Sequence, residues 1–306
     1  MEATMSNLPF LVYKDKYHLP IFTTAEYLEE FEAMEVREDD VFIVTYPKSG
    51  THWMQEMVHQ IFADGQPEKV TANERRLVVE MADVRTPDLV SETDPGFRLM
   101  KDLPSPRVFP THVVCPLLPR MIWQKQCKMI YVYRHPKDVI VSFYNFHRVL
   151  AERFAGLTIP DTPHQFEQFF TACLDGQIEY GSWFDHILSY EQHREKDFFI
   201  FVSYEDMKKN NHTIVSQVGR FLGRELKEDT VERIVENSSF KSMKGKFQKD
   251  EDVERIDLDV FLNKGEMNQW QSRFTKEQNK RCDEMFLRKM KNCDLTRCYA
   301  PVSSVL

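Results

Sequence analysis

Val41-Phe-Ile-Val-Thr-Tyr-Pro-Lys-Ser-Gly-Thr-His-Trp53 passes from a short apolar, β-branched and aromatic run into a turn that holds Pro47 and Gly50. The run from Val41 to Tyr46 predicts a strand buried on both faces, as in a parallel sheet. Beyond the turn, Trp53, Met54, Met57, Val58, Ile61 and Phe62 recur at helical spacing until Asp64-Gly65 breaks the pattern. A strand feeding a Gly-containing loop and then a helix offers backbone N–H groups at the helix start, a setting suited to phosphate, and Lys48 adds a positive charge. The competing reading is a polar turn that merely caps a helix. The loop is not a Walker A sequence, whose lysine follows the second glycine and whose hydroxyl holds magnesium. A P-loop kinase is therefore the weaker reading of the same sheet.

The pattern recurs along the chain. Met129 to Tyr133 reads as a buried strand, Arg134-His-Pro136 as the turn, with Pro136 opening a helix, and Asp138 to Leu150 as that helix. Phe198 to Val202 reads as a third buried strand, and Gln165 to Leu174 and Gln177 to Glu191 as helices. Alternating strands and helices predict an α/β fold, a central parallel sheet flanked by helices on both faces, with ligands beyond the carboxyl ends of the strands. No repeat or linker divides the chain, so one domain over residues 1–306 is expected. Residues 84 to 120 carry seven prolines and read as a long ordered loop rather than a central strand. Residues 241 to 265 read as a second long surface segment, and 275 to 290 as a closing helix.

Bulk properties narrow the function. An apolar fraction of 42% with 23 Phe in 306 residues supports a real core. A net charge of −8 argues against a protein that coats nucleic acid or an anionic membrane, so any anion site is local. No leader or membrane anchor is apparent. The cysteines at 115, 127, 173, 282, 293 and 298 form no C-x-x-C pair. They suggest reduced thiols in the cytoplasm and no metal site.

Three further segments join the first one. Tyr131-Val-Tyr-Arg-His-Pro-Lys-Asp-Val-Ile-Val-Ser142 sets Arg134 at a strand end and Ser142 eight residues later. Phe201-Val-Ser-Tyr-Glu-Asp-Met207 and Asn237-Ser-Ser-Phe240 follow, and Phe261-Leu-Asn-Lys-Gly265 precedes Trp270. Together with Thr45-Tyr-Pro-Lys-Ser-Gly-Thr51 they resemble the cytosolic sulfotransferase family over almost the whole chain. That resemblance implies sulfuryl transfer from 3′-phosphoadenosine 5′-phosphosulfate (PAPS) to a hydroxyl of a small apolar acceptor such as a phenol or hydroxysteroid, without a metal. It casts Lys48, Ser49, Gly50, Thr51, His52 and Trp53 as the 5′-phosphosulfate loop, and Arg134 and Ser142 as the clasp on the 3′-phosphate. Trp53, Tyr204, Ser238 and Phe240 hold adenine, and Phe261, Leu262, Asn263, Lys264 and Gly265 close on the nucleotide. His112, in Phe109-Pro-Thr-His-Val113, matches the catalytic base, while Phe146 and Phe22 match the acceptor pocket. Read without the family, each aromatic residue is core, Arg134 is a surface ion pair, and a lone histidine is structural.

Two departures stand out. Asn263 replaces an arginine, and Pro110 stands where a lysine is frequent, which leaves open a catalytically silent protein that binds adenosine 3′,5′-bisphosphate (PAP). The family's dimer motif keeps only Thr275, with Gln271, Lys276 and Lys280 at its other positions, so a monomer or a different dimer is expected. Because a guanidinium grips phosphate with two hydrogen bonds, Asn263→Arg is expected to bind PAP about tenfold more tightly. Titration calorimetry checks this, and equal affinities would refute it.

Overall fold

The computed structural model describes residues 10–21, 23–70, 78–80, 96–248 and 265–299, with side chains 153–155, 247–248 and 296–298 excepted. Phe22, Phe261, Leu262, Asn263 and Lys264 lie outside the described residues.

The chain opens with an antiparallel hairpin, β1 (Phe10–Tyr13) and β2 (Tyr17–Pro20), and a helix, α1 (Ala25–Glu32). The central unit follows: β3 (Val41–Thr45), α2 (Thr51–Phe62), α3 (Gly96–Leu99), β4 (Val108–Thr111), α4 (Met121–Lys125), β5 (Lys128–Tyr133) and α5 (Pro136–Ala155). Then come α6 (Pro163–Asp175), α7 (Trp183–Glu191), β6 (Phe199–Ser203), α8 (Tyr204–Lys209), α9 (Asn211–Phe221), α10 (Glu228–Asn237) and α11 (Phe240–Gln248). Two further helices, α12 (Trp270–Arg273) and α13 (Lys276–Lys289), follow residue 265.

Among the described residues, the four central strands are all parallel and ordered β4-β3-β5-β6. Every residue of β3 is buried, and its side chains divide by parity between two layers. Val41 and Ile43 pack with Met54, Met57, Val58 and Ile61 of α2 and with Val215 and Val218 of α9. Phe42 and Val44 face the larger core of Tyr131, Tyr144, Phe166, Phe170 and Phe184, built from β5, α5, α6 and α7. Burial on both faces is why the strands read as continuous apolar runs and why helices cover both sides.

The expected strands are present with ends shifted by a residue. Three expectations need correction. The Pro-rich region is not loop throughout, because β4 runs through Pro110, opposite Ile43. It is an edge strand, where a proline removes no ladder hydrogen bond, and the Pro110 carbonyl accepts from Val79 N at 3.0 Å. The helix expected from Gln177 begins only at Trp183, capped by Ser182, because Tyr180 and Gly181 adopt φ of 65° and 70° and turn the chain first. Part of the segment from 241 to 265 is also regular, as α11.

Thr275 is the N-cap of α13 and forms a reciprocal capping box with Gln278. The hydroxyl accepts from Gln278 N at 3.1 Å, and Gln278 Oε1 accepts from Thr275 N at 2.9 Å. Lys280 lies near Glu284 on the same helix, at 3.9 Å. Thr275→Ala should therefore lower stability by about 1 kcal/mol in urea unfolding, with no change in molar mass by light scattering. A change in molar mass at unchanged stability would overturn this reading.

Candidate active site

The loop after β3 is shaped by two residues in the left-handed region. Lys48 has φ of 66° and Gly50 has φ of 106°. A Cβ on Gly50 would sit 2.9 Å from Tyr204 Cδ2, so glycine is required both for conformation and for close approach. Gly50 is also the N-cap of α2, and no side chain caps that helix. Its first-turn N–H groups have no carbonyl partner within the helix and suit an anion.

Beside this loop, at the end of β5, stands Arg134, 1% exposed. Its Nη1 donates to Lys48 O at 3.2 Å and its Nη2 to Glu266 O at 3.0 Å. Its guanidinium carbon lies 4.5 Å from the centre of the Tyr204 ring, which Trp53 meets edge-on at 5.6 Å. Lys48 Nζ lies 4.4 Å from the centre of the Phe146 ring. Burial, reinforced by the charge of Arg134, lowers the Lys48 ammonium to about 7. Two cations thus share a desolvated corner, an arrangement that an anion stabilises.

Ser49 Oγ, Trp53 Nε1 and Arg134 Nε are buried without a hydrogen-bond partner among the described residues. Three donors around one loop suit a ligand rich in hydrogen-bond acceptors better than a settled protein core. Thr51 Oγ1 lies 2.7 Å from Thr45 Oγ1 and ties the helix start back to β3. His52 and Phe240 are half-buried, and Ser142 is buried in α5, two turns beyond Arg134. Gly265, φ 65°, is buried with Phe240 and the Tyr204 hydroxyl each 3.9 Å from where its Cβ would lie. Ser238 is buried, and its hydroxyl donates to Ile234 O of its own helix at 2.7 Å.

His112 follows β4 directly, and its Nδ1 lies 2.8 Å from Thr45 O and 2.9 Å from Thr45 Oγ1. A carbonyl only accepts, so Nδ1 carries the proton and Nε2 keeps the lone pair. Burial lowers the His112 pKa to about 4; the Thr45 carbonyl bond opposes this shift and the charge of Lys48 adds to it. The ring is thereby neutral and basic at Nε2 near neutral pH.

The residues around His112 were not legible from spacing. Glu80 Oε1 accepts from His112 N at 2.9 Å, and Glu80 Oε2 accepts from Thr111 Oγ1 at 2.8 Å. Burial raises the Glu80 carboxyl to about 6 despite these bonds and one from Tyr180. The Tyr180 ring stands edge-on to His112 at 5.3 Å. His186 Nε2 donates to His112 O at 3.0 Å, while its Nδ1 accepts from the Tyr131 hydroxyl at 2.8 Å. Thr45 alone among these partners lies inside the motif that opened the reading.

Asp138 holds the far side of the site. One of its oxygens accepts from Asn268 N at 2.7 Å and the other from Trp270 N at 3.3 Å. No group of three or more His, Cys, Asp or Glu that could hold a metal occurs among the described residues.

The sulfotransferase domain family matches residues 38–294. Sulfotransferase 1A1 of Canis lupus familiaris is 33% identical over 277 residues, covering 89% of this chain and 90% of the relative. Human Sulfotransferase 1C2 is 32% identical over 283 residues, covering 90% and 91%. A mouse sulfotransferase solved in complex with PAP superposes with a TM-score of 0.76 at 31% identity, covering 95% of this chain and 98% of that one. Retinol dehydratase, solved with androsterone and inactive cofactor PAP, shares the fold at a TM-score of 0.79 and 23% identity, covering 95% and 93%. With the matched family spanning most of the chain and relatives alike over nine-tenths of it, this protein belongs to the cytosolic sulfotransferase family and is a sulfotransferase.

Proposed function

We propose that the chain transfers the sulfuryl group of PAPS to a hydroxyl of a small apolar acceptor, with His112 as general base. The observation that carries this reading is the 2.8 Å contact from His112 Nδ1 to the Thr45 carbonyl. It fixes the tautomer that leaves Nε2 basic, and it does so at the residue from which the Lys48 loop departs. The PAP bound to the mouse relative supports the choice of donor. The three unpartnered donors Ser49 Oγ, Trp53 Nε1 and Arg134 Nε suit the same nucleotide.

In this reading the acceptor hydroxyl gives its proton to His112 Nε2 as its oxygen attacks sulfur. The new O–S bond forms as the bond from sulfur to the phosphate oxygen breaks, and PAP leaves with that electron pair. Lys48 neutralises the charge that develops on the departing oxygen. Arg134 and Ser142 hold the 3′-phosphate, with Trp53, Tyr204 and Phe240 at the purine and Gly265 allowing close backbone approach. Phe146, which shares its face with Lys48, forms part of an apolar acceptor wall. Among the described residues, Cys115, Cys127, Cys173 and Cys282 are buried and form no disulfide, which suits a reducing compartment such as the cytoplasm.

Transfer of labelled sulfate from PAPS to phenols, hydroxysteroids and aliphatic alcohols, in chelator, tests the reaction. His112→Ala should lower turnover about 100-fold or more while PAP affinity is kept. Because the His112 pKa lies near 4, wild-type activity should persist at pH 5.5, where an ordinary histidine would be mostly protonated. An acid limb near 6.5, or full activity in His112→Ala, would remove the histidine from this role. PAP bound without transfer to any acceptor would favour a silent binder.

Lys48 supplies a separate test. Its ammonium titrates near 7 in the ligand-free protein, and a bound phosphate raises that value by favouring the charged form. Binding PAP above pH 7 should therefore take up a proton, so affinity falls as pH rises from 7 to 9. Calorimetry in buffers of differing ionisation enthalpy measures the uptake, which should vanish in Lys48→Met. Uptake that persists in that variant would assign the proton elsewhere.

A further inference from the structure

The His112 segment is gripped at more points than a strand end needs. Its side chain is tied to Thr45, its carbonyl accepts from His186, and its N–H donates to Glu80. Glu80 is wholly buried and carries no partner of opposite charge in these contacts. A carboxylate in such a place is costly unless several donors converge on it. Here four do: His112 N, Thr111 Oγ1, the Tyr180 hydroxyl and the N–H of Glu80 itself. Its own backbone is fixed by the neighbouring bonds of Val79, whose N–H donates to Pro110 O and whose carbonyl accepts from Phe97 N, each at 3.0 Å.

The geometry points to Glu80 as a positioning residue for the transfer reaction: one buried carboxylate sets His112 from two directions, through its backbone and through the Tyr180 ring that stands against its imidazole. This assignment rests on His112 being the base. The carboxylate does not meet the reacting atoms. Its oxygens accept from the N–H of His112 and from the hydroxyl of Thr111, and so fix where the strand ends and the imidazole begins. By accepting the Tyr180 hydroxyl it also fixes the ring 5.3 Å from that imidazole. Tyr180 sits at φ of 65°, its N–H donates to His18 O at 2.7 Å, and the bond to Glu80 adds a second anchor at the far end of its ring. A base displaced by an ångström loses its line to the acceptor proton, which is how a residue remote from the chemistry can change turnover about 100-fold.

Glu80→Gln is the closest probe, because it keeps the shape and an oxygen for His112 N. Its amide nitrogen cannot accept, so Thr111 or Tyr180 loses its acceptor. We expect kcat to fall about tenfold while acceptor KM and PAP affinity stay within about twofold. In a double-variant cycle, adding Glu80→Gln to His112→Ala should change the residual rate by less than about twofold, since Glu80 acts through a side chain already removed. A merely structural role would lower both rates alike. Wild-type kcat in Glu80→Gln, a matching loss of PAP affinity, or additive losses in the cycle would each overturn the proposal. If the glutamine variant does not fold, Glu80→Asp, which keeps the charge and shortens the reach, is judged by the same criteria. Unchanged turnover in His112→Ala alone would instead overturn the base assignment, an outcome separable from the others.

Discussion

The parallel register of β3 with its two neighbours is the constraint on which the site depends. Thr45 lies opposite Val132 on one side, and Val44 lies opposite Thr111 on the other. Both loops that carry cations therefore leave the sheet at one level, and Arg134 can donate to the carbonyl of Lys48. On the opposite flank the same level sets His112 beside Thr45, where the imidazole finds its carbonyl. A one-residue slip in either ladder would also send the buried face of the strand to the wrong layer. The hydrophobic division between Val41/Ile43 and Phe42/Val44 thus fixes the chemistry as firmly as it fixes the core.

The treatment of charge separates scaffold from site. At the foot of the sheet, Arg107 and Asp40 are both buried and meet in two hydrogen bonds, a pair whose charges cancel. At its head, among the described residues, the Arg134 fork donates to the backbone carbonyls of Lys48 and Glu266, which orient the guanidinium and leave its charge in place. Of the acidic residues near that head, Asp138 is occupied by the N–H groups of Asn268 and Trp270, and Glu205 by His135 N and the Tyr299 hydroxyl. Keeping cations desolvated and close costs stability and is visible in the lowered Lys48 pKa, but it gives an incoming anion partners that need no reorganisation.

How much of this could be read from sequence depends on the range of each interaction. The β3 loop, α2, the strand before Arg134 and α5 were legible because their periodicity and turn residues are local. Edge strand β4 was hidden by Pro110, since a proline forbids a central strand but says nothing against an edge. The turn before Trp183 reads as helix in the sequence because Tyr180, Trp183, Phe184, Ile187 and Leu188 keep helical spacing, whereas the positive φ of Tyr180 has no such signature. His112 was found through the family resemblance. Glu80, Tyr180 and His186 were not found at all, because each meets the His112 segment across 32 to 74 residues of chain. Their residue types alone, an acid, a tyrosine and a histidine, give no hint of a shared target.

The segment from 265 to 299 is built into the same site. His135 stacks on Trp270, with ring centres 5.9 Å apart and planes 9° from parallel, and its other neighbour is Tyr299 at 5.1 Å. Glu205, beside Tyr204, accepts from His135 N and from the Tyr299 hydroxyl. Lys137 packs over Trp270 and bonds Asn279 of α13. The residues flanking Arg134 and Tyr204 are therefore clamped by segments from 268 to 299, while Arg134 itself donates to Glu266 O. Since Glu266 adjoins Gly265, which approaches Tyr204 and Phe240, the carboxy-terminal part of the fold does more than complete a helical layer. It sets the backbone against which the buried guanidinium is aimed, so packing around Trp270 and Tyr299 bears directly on where that charge points.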